Sequence, residues 1–266
     1  MRAHADAATA AVAVFHLHAG VAAVAAVLAT AATVWVAHAM TVQPIVVDLK
    51  TSGRQMSAIV TVENSFDKPL PVELQAQEAT FSETGLTPNG APANDLLIFP
   101  PQALVAPGQT QSFRIQWVGD PALVGSKHFF VTVGQLPVQL PEGQSAIQIL
   151  YNFQVVVNVG PAAGRPDIHV LRADIVKGEY GKFRPTLYLD NTGTTYGYLS
   201  SGRLRIVQTD DAGREVYRRS FTPAEVQQNI GFGLVAASGK RTLPLTLELP
   251  AGEGKLDVQF TPENAR

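Results

Sequence analysis

The chain has 266 residues, of which 46% are hydrophobic and only 16% charged, with a net charge of −2 and no cysteine. That charge leaves no electrostatic footprint for nucleic acid or an anionic membrane, and the absence of cysteine removes disulfides, thiolate nucleophiles and cysteine metal sites. The length suits two domains of about 100 residues each, and the wealth of Val, Thr, Gln, Gly and Pro is the mix of strands and tight turns.

Residues 1–39 stand apart and read as an export signal. From Ala19 to Val36 the stretch AGVAAVAAVLATAATVWV carries no charge, and it runs into Ala37-His38-Ala39, a small-x-small cleavage pattern. Cleavage after Ala39 leaves Met40 at the new N-terminus. A transmembrane anchor is the alternative reading of so long an uncharged run. The Ala-rich composition and the lack of basic residues just after it favour the cleavable signal.

After Met40 the dominant period is two. In SAIVTVEN, Ala58, Val60 and Val62 share one face; in QSFRIQW, Phe113, Ile115 and Trp117 do; in HFFVTV, Phe129, Val131 and Val133 do. These predict half-buried antiparallel strands. Asp67-Lys68-Pro69, Pro88-Asn89-Gly90 and Pro107-Gly108 read as the turns between them, a spacing that suits a β-sandwich of about seven strands. Trp117, on the apolar face, is expected in the core rather than as a sugar platform.

The stretch Ala146–Val159, AIQILYNFQVVVNV, reads as one strand longer than the usual 5 or 6 residues. Ile147, Ile149, Tyr151, Phe153, Val155 and Val157 make one face apolar at every position. Such a strand at a sheet edge invites pairing with another chain; as a central strand it simply fills a core. Beyond it, Gly160-Pro161-Ala162-Ala163-Gly164-Arg165-Pro166 breaks pairing and places a domain boundary near Pro161. The second half carries six further candidate strands (LRADIV, PTLYLDN, GRLRIVQT, EVYRRSF, TLPLTLEL and KLDVQF), with Asp210-Asp211-Ala212-Gly213 as a hairpin turn rather than a catalytic carboxylate pair.

Taken in order, these segments resemble the PapD-like periplasmic pilus chaperones over residues 40–266. LLIFPPQALVAPGQTQSFRIQW is similar to the family's apolar strand, Pro-Pro, "APG" turn and Arg-bearing strand; HFFVTVGQLP to its next strand; IQILYNFQVVVNVGP to its long final strand of domain one. In the second half, LYLDNTGTTYGYLS and LVAASGKRTLPL are similar to the family's later strands and turns. The resemblance implies an all-β chain of two immunoglobulin-like sandwiches set at an angle around a cleft, here 40–160 and 161–266. It implies a periplasmic location and no enzymatic activity. It implies a function too: holding pilus subunits, incomplete sandwiches that lack their last strand, by β-strand addition and passing them to an outer-membrane usher. Ile147, Ile149, Tyr151 and Phe153 match the donor residues, and a free chaperone is expected to cap this edge by self-association. The family's two cleft cations, which grip a subunit's terminal carboxylate, fall near Val46 and Val156, both apolar. Lys50, Lys127 and Arg165 remain as candidates for that anchor. Gln135 and Gly160 occupy positions where the family carries charges between its domains. The branch is therefore divergent, and a structural or adhesive envelope module of paired immunoglobulin-like domains is the alternative.

Catalysis has no foothold in the sequence. Past the signal the histidines are His128 and His169, both read as surface residues; no spacing suggests a zinc site, and neither a nucleophile elbow nor a phosphate loop occurs. No catalytic residue, metal, cofactor or nucleic-acid partner is expected.

Overall fold

In the computed structural model, which describes residues 40–137 and 149–263, the alternating segments become strand after strand. The first half holds β1 (Met40–Gln43), β2 (Val46–Lys50), β3 (Ser57–Asn64), β4 (Leu70–Ser82), β5 (Gly85–Pro92), β6 (Leu96–Phe99), β7 (Gln102–Val105), β8 (Thr110–Trp117), β9 (Lys127–Gln135) and β10 (Asn152–Gly160). The second holds β11 (Ile168–Lys177), β12 (Phe183–Asn191), β13 (Gly197–Tyr198), β14 (Gly202–Thr209), β15 (Glu215–Phe221), helix α1 (Pro223–Asn229), β16 (Leu234–Val235), β17 (Lys240–Pro244) and β18 (Lys255–Pro262).

Two sheets enclose the first core. One runs β1-β3-β8-β6; the other runs β2-β10-β9-β4-β5, with β7 also on β4. The period of two fixes which residues meet between them. Val60, Val62, Phe113, Ile115 and Trp117 come from the first sheet, and Phe129, Val131, Val133, Val155 and Val157 from the second. The chain begins in one sheet and continues in the other: β1 pairs with β3, and after Pro44 and Ile45 the strand β2 runs parallel to β10. Pro44, which has no N–H to give to a ladder, sits at that crossing.

A separate second core gathers Leu187, Leu189, Leu199, Leu204, Ile206, Phe221, Val226 and Leu245, held by the sheets β11-β12-β17 and β15-β14-β18 and the short pair β13-β16. The Asp210–Gly213 turn forms as expected: Gly213 takes a positive φ of 78°, and Asp210 Oδ1 accepts the Arg214 N–H at 2.9 Å.

Two local expectations are corrected, and one element is new. Pro88-Asn89-Gly90 is not a turn but part of edge strand β5. The reversal falls instead at Glu83-Thr84, between the paired Ser82 and Gly85, because β4 runs on to 13 residues. TLPLTLEL is strand only as far as Pro244; Leu245, Leu247 and Leu249 fill the second core without a ladder. Helix α1 was not foreseen. Thr222 caps it and forms a reciprocal capping box with Glu225, with Pro223 in the first turn.

Candidate functional site

The site grows out of β10, whose two ends have different neighbours. Along one side it pairs with β9 throughout, from Asn152 opposite Gly134 to Val159 opposite Lys127. On the other side β2 covers only Val156–Gly160. Bonding direction alternates along an antiparallel strand. Tyr151 O accepts the Gln135 N–H at 2.9 Å, whereas the Val156 N–H turns the other way to Ile45 O at 2.9 Å. Asn152 and Gln154 share the Val156 side, and no described strand pairs with them there. The backbone is open at that point because β1 has left for the opposite sheet.

The side chains make the same transition. Val155 and Val157 are fully buried. Their row runs outward through Phe153, half-buried against the first core, to Tyr151 at 40% and Ile149 at 71% exposure. The Tyr151 ring lies 5.9 Å from Phe66, its one aromatic contact among the described residues. The expected strand from Ala146 is therefore shorter among the described residues. Ile149–Tyr151 lie outside the regular ladder, since β9 ends at Gln135 and no described strand flanks the other side. Ile147 lies outside the described residues.

The other end of β10 is covered by the second half, and here the sequence reading missed a group of residues. His128 is buried rather than on the surface, and so is Asn158 beside it. The Asn158 Oδ1 takes the His128 Nδ1–H at 2.6 Å, which leaves Nε2 to accept from the Ser126 hydroxyl at 3.2 Å. Ser126 Oγ in turn accepts the Ala237 N–H at 3.2 Å, from the second half. On its other side Asn158 Nδ2 donates to Tyr198 Oη at 2.7 Å, and that hydroxyl donates to Asp48 Oδ1. One directional chain of hydrogen bonds thus joins β2, β9 and β10 to the second half. Rings follow the same path: Phe81, His128, Tyr196, Tyr198 and Phe232 succeed one another at centroid distances of 5.7–6.1 Å, with an edge-to-face pair at His128–Tyr196. Burial holds the His128 pKa below its ordinary 6.5. Burial and the Asp48 carboxylate push both tyrosine hydroxyls above theirs.

Two further contacts tie the halves. The β4–β5 hairpin reaches across so that Phe81 packs on the second core, and Glu83 O accepts the Thr242 N–H at 2.7 Å. A β-carbon on Gly160 would come within 2.2 Å of Thr195 Oγ1, so no side chain, charged or otherwise, fits where the resemblance suggested a charge. Asn191, in the LYLDN segment, is a structural pin: its buried amide donates to the carbonyls of Thr195, Val235 and Ala236.

The three carboxylate-anchor candidates have separate partners, although Lys50 and Lys127 flank the same end of β10, opposite Gly160 and Val159. Lys50, at the end of β2, reaches the Pro161 carbonyl at 3.5 Å. Lys127 is paired with Asp95. Arg165 lies exposed in the connecting segment. Val46 lines a groove with Pro44, Ile45, Ile59 and Phe232 in which Asp48 is the charged residue. Among the described residues no cluster of His, Asp and Glu has metal-binding geometry.

No known family profile and no curated protein matches the chain. Among solved structures it is similar to the class 5 fimbriae chaperone CfaA, at 10% identity and a TM-score of 0.49, over 86% of this chain and 94% of that one. It is also similar to the chaperone SafB solved with the SafA pilin of Salmonella enterica, at 14% identity and TM-score 0.48 over 85% and 97%. A third is the E. coli chaperone DraB, at 17% identity and TM-score 0.46 over 84% and 88%.

Proposed function

We propose that this chain is a PapD-like periplasmic chaperone of pilus subunits, built of two domains that meet near Pro161, and that it holds a subunit by adding β10 to it as a strand. The observation that carries this reading is the open side of β10 at Asn152–Val155, where unpaired backbone groups adjoin the apolar row Phe153, Tyr151 and Ile149. An incomplete sandwich lacks one strand's worth of both. The row supplies side chains, each contributing about 1.5–3 kcal/mol if fully buried. The N–H and C=O groups of Asn152 and Gln154 supply a ladder at about 0.5–1.5 kcal/mol net per bond. Neither demands a nucleotide or a covalent step, so the subunit can be exchanged at the outer-membrane usher for another strand of the same kind. Ile147 continues the row in sequence and is proposed as a fourth donor position. Free copies cap the edge by self-association.

The test is a tagged pull-down from the periplasm with the natural chain and with Ile149→Arg and Tyr151→Asp, circular dichroism checking the fold of each. A small β-rich subunit that co-purifies with the natural chain and is lost from both folded variants supports the reading. Folded variants that retain it, or a natural chain that captures none where pili are made, count against it.

A further inference from the structure

The hydrogen-bond chain across the junction has a built-in direction that depends on one proton. Asn158 Oδ1 is a carbonyl and only accepts, so His128 must donate from Nδ1. Nε2 then carries no proton and accepts from Ser126 Oγ, which is free to accept the Ala237 N–H. A second proton on the ring turns Nε2 into a donor aimed at the same serine oxygen and leaves the serine proton to find another acceptor. It also places a cation among apolar and aromatic neighbours: Phe81 from the β4–β5 hairpin and Tyr196 from the second half. The groups around it give little compensation. Asp48 on β2 is already engaged by Tyr198 and by Asn158 at 3.5 Å. Tyr196 and Tyr198 stay protonated. Glu78 on β4 is engaged by Asn89 at 3.4 Å, and Lys127, next in the chain, repels a cation although Asp95 holds it. The ring is not sealed: His128, Ser126, Glu78, Lys127 and Gly239 line a recess of about 440 Å³ through which water can deliver the proton.

We propose that His128 is a pH-sensitive latch between the two halves: protonation releases the Ser126–Ala237 and His128–Tyr196 contacts and frees the halves to reorient. Buried neutral histidines that must charge are a general source of such two-state behaviour. The burial that lowers the ring's proton affinity in the joined form is relieved in the opened one, so acid favours opening. The latch does not depend on what β10 binds.

Because the chain has no cysteine, paired spin labels can be placed on the full chain at Gln109→Cys and Asp211→Cys, one in an exposed turn of each half, and their separation measured by double electron–electron resonance from pH 8 to pH 5. One distance population at pH 8 is expected to give way reversibly to a second as the pH falls below 6.5. His128→Asn, which keeps a donor near Nδ1 but cannot titrate, is expected to abolish the change. A distance distribution independent of pH in the natural chain, or a pH response that survives His128→Asn, overturns the proposal. Should that variant misfold, proton NMR titration of the His128 ring in the natural chain decides instead: a pKa below 6.5 with the distance change tracking it supports the latch, and a pKa at or above 6.5 overturns it.

Discussion

The two ends of β10 have the same sequence character and opposite surroundings. From Val155 to Gly160 the strand is flanked by β9 on one side and β2 on the other, with the second half packed over Asn158. From Asn152 to Gln154 it keeps β9 alone among the described strands, and the apolar row continues past it through Tyr151 and Ile149, which emerge from the end of the core. Alternation of apolar side chains sets which face a residue takes. Whether the strand is covered or open is decided elsewhere in the chain, by where β1 changes sheets.

The largest effect that sharpens this contrast is expected at the covered end. Val157→Asp places an unpaired carboxylate in the first core and should cost at least about 4 kcal/mol, enough to abolish a cooperative urea transition; a folded variant of near-natural stability would break the comparison. Tyr198→Phe removes the hydroxyl that bridges Asn158 and Asp48 and should cost about 2 kcal/mol in the same measurement, since the bond to Asp48 is charge-assisted. A smaller effect comes from pH. His128 binds its proton less readily folded than unfolded, so between the depressed folded value and the ordinary 6.5 the unfolded state holds more protons. Stability is thus fully present above 6.5 and declines as the pH falls below it. Unfolding midpoints measured from pH 8 to pH 5 should show that decline, and less of it in His128→Asn. At the open end, Ile149→Arg should change stability by no more than about 0.5 kcal/mol, because Ile149 is already exposed.

Much of the fold was legible because period two survives in the segments that face one core. SAIVTVEN, QSFRIQW and HFFVTV put the expected residues inward, and Trp117 is fully buried as anticipated. The candidate site was legible only in part. The apolar row through Ile149, Tyr151 and Phe153 can be read from the sequence, but the open backbone beside it depends on β1 pairing with β3, a long-range choice no local pattern records. His128 was read as a surface residue because alternation reports one sheet face, and the body that buries it and the neighbouring Asn158 comes from residues 195–198 and 236–237. Helix α1 had a local signal, Thr222-Pro223-Ala224-Glu225, but seven residues are too few for a helical period to show. The length of β4, which carries Phe81 to the second core, was hidden by a Pro-Asn-Gly that looks like a turn and lies instead in an edge strand.

Amide hydrogen exchange at Asn152 and Gln154, with Val157 as the internal reference, tests most directly the claim that this edge accepts another strand. The free chain, held dilute enough to stay monomeric, should exchange rapidly at both positions while Val157 is protected, and in complex with a co-expressed pilus subunit both should become strongly slowed, with Val157 unchanged. Amides at 152 and 154 that stay unprotected in a stable complex would contradict it.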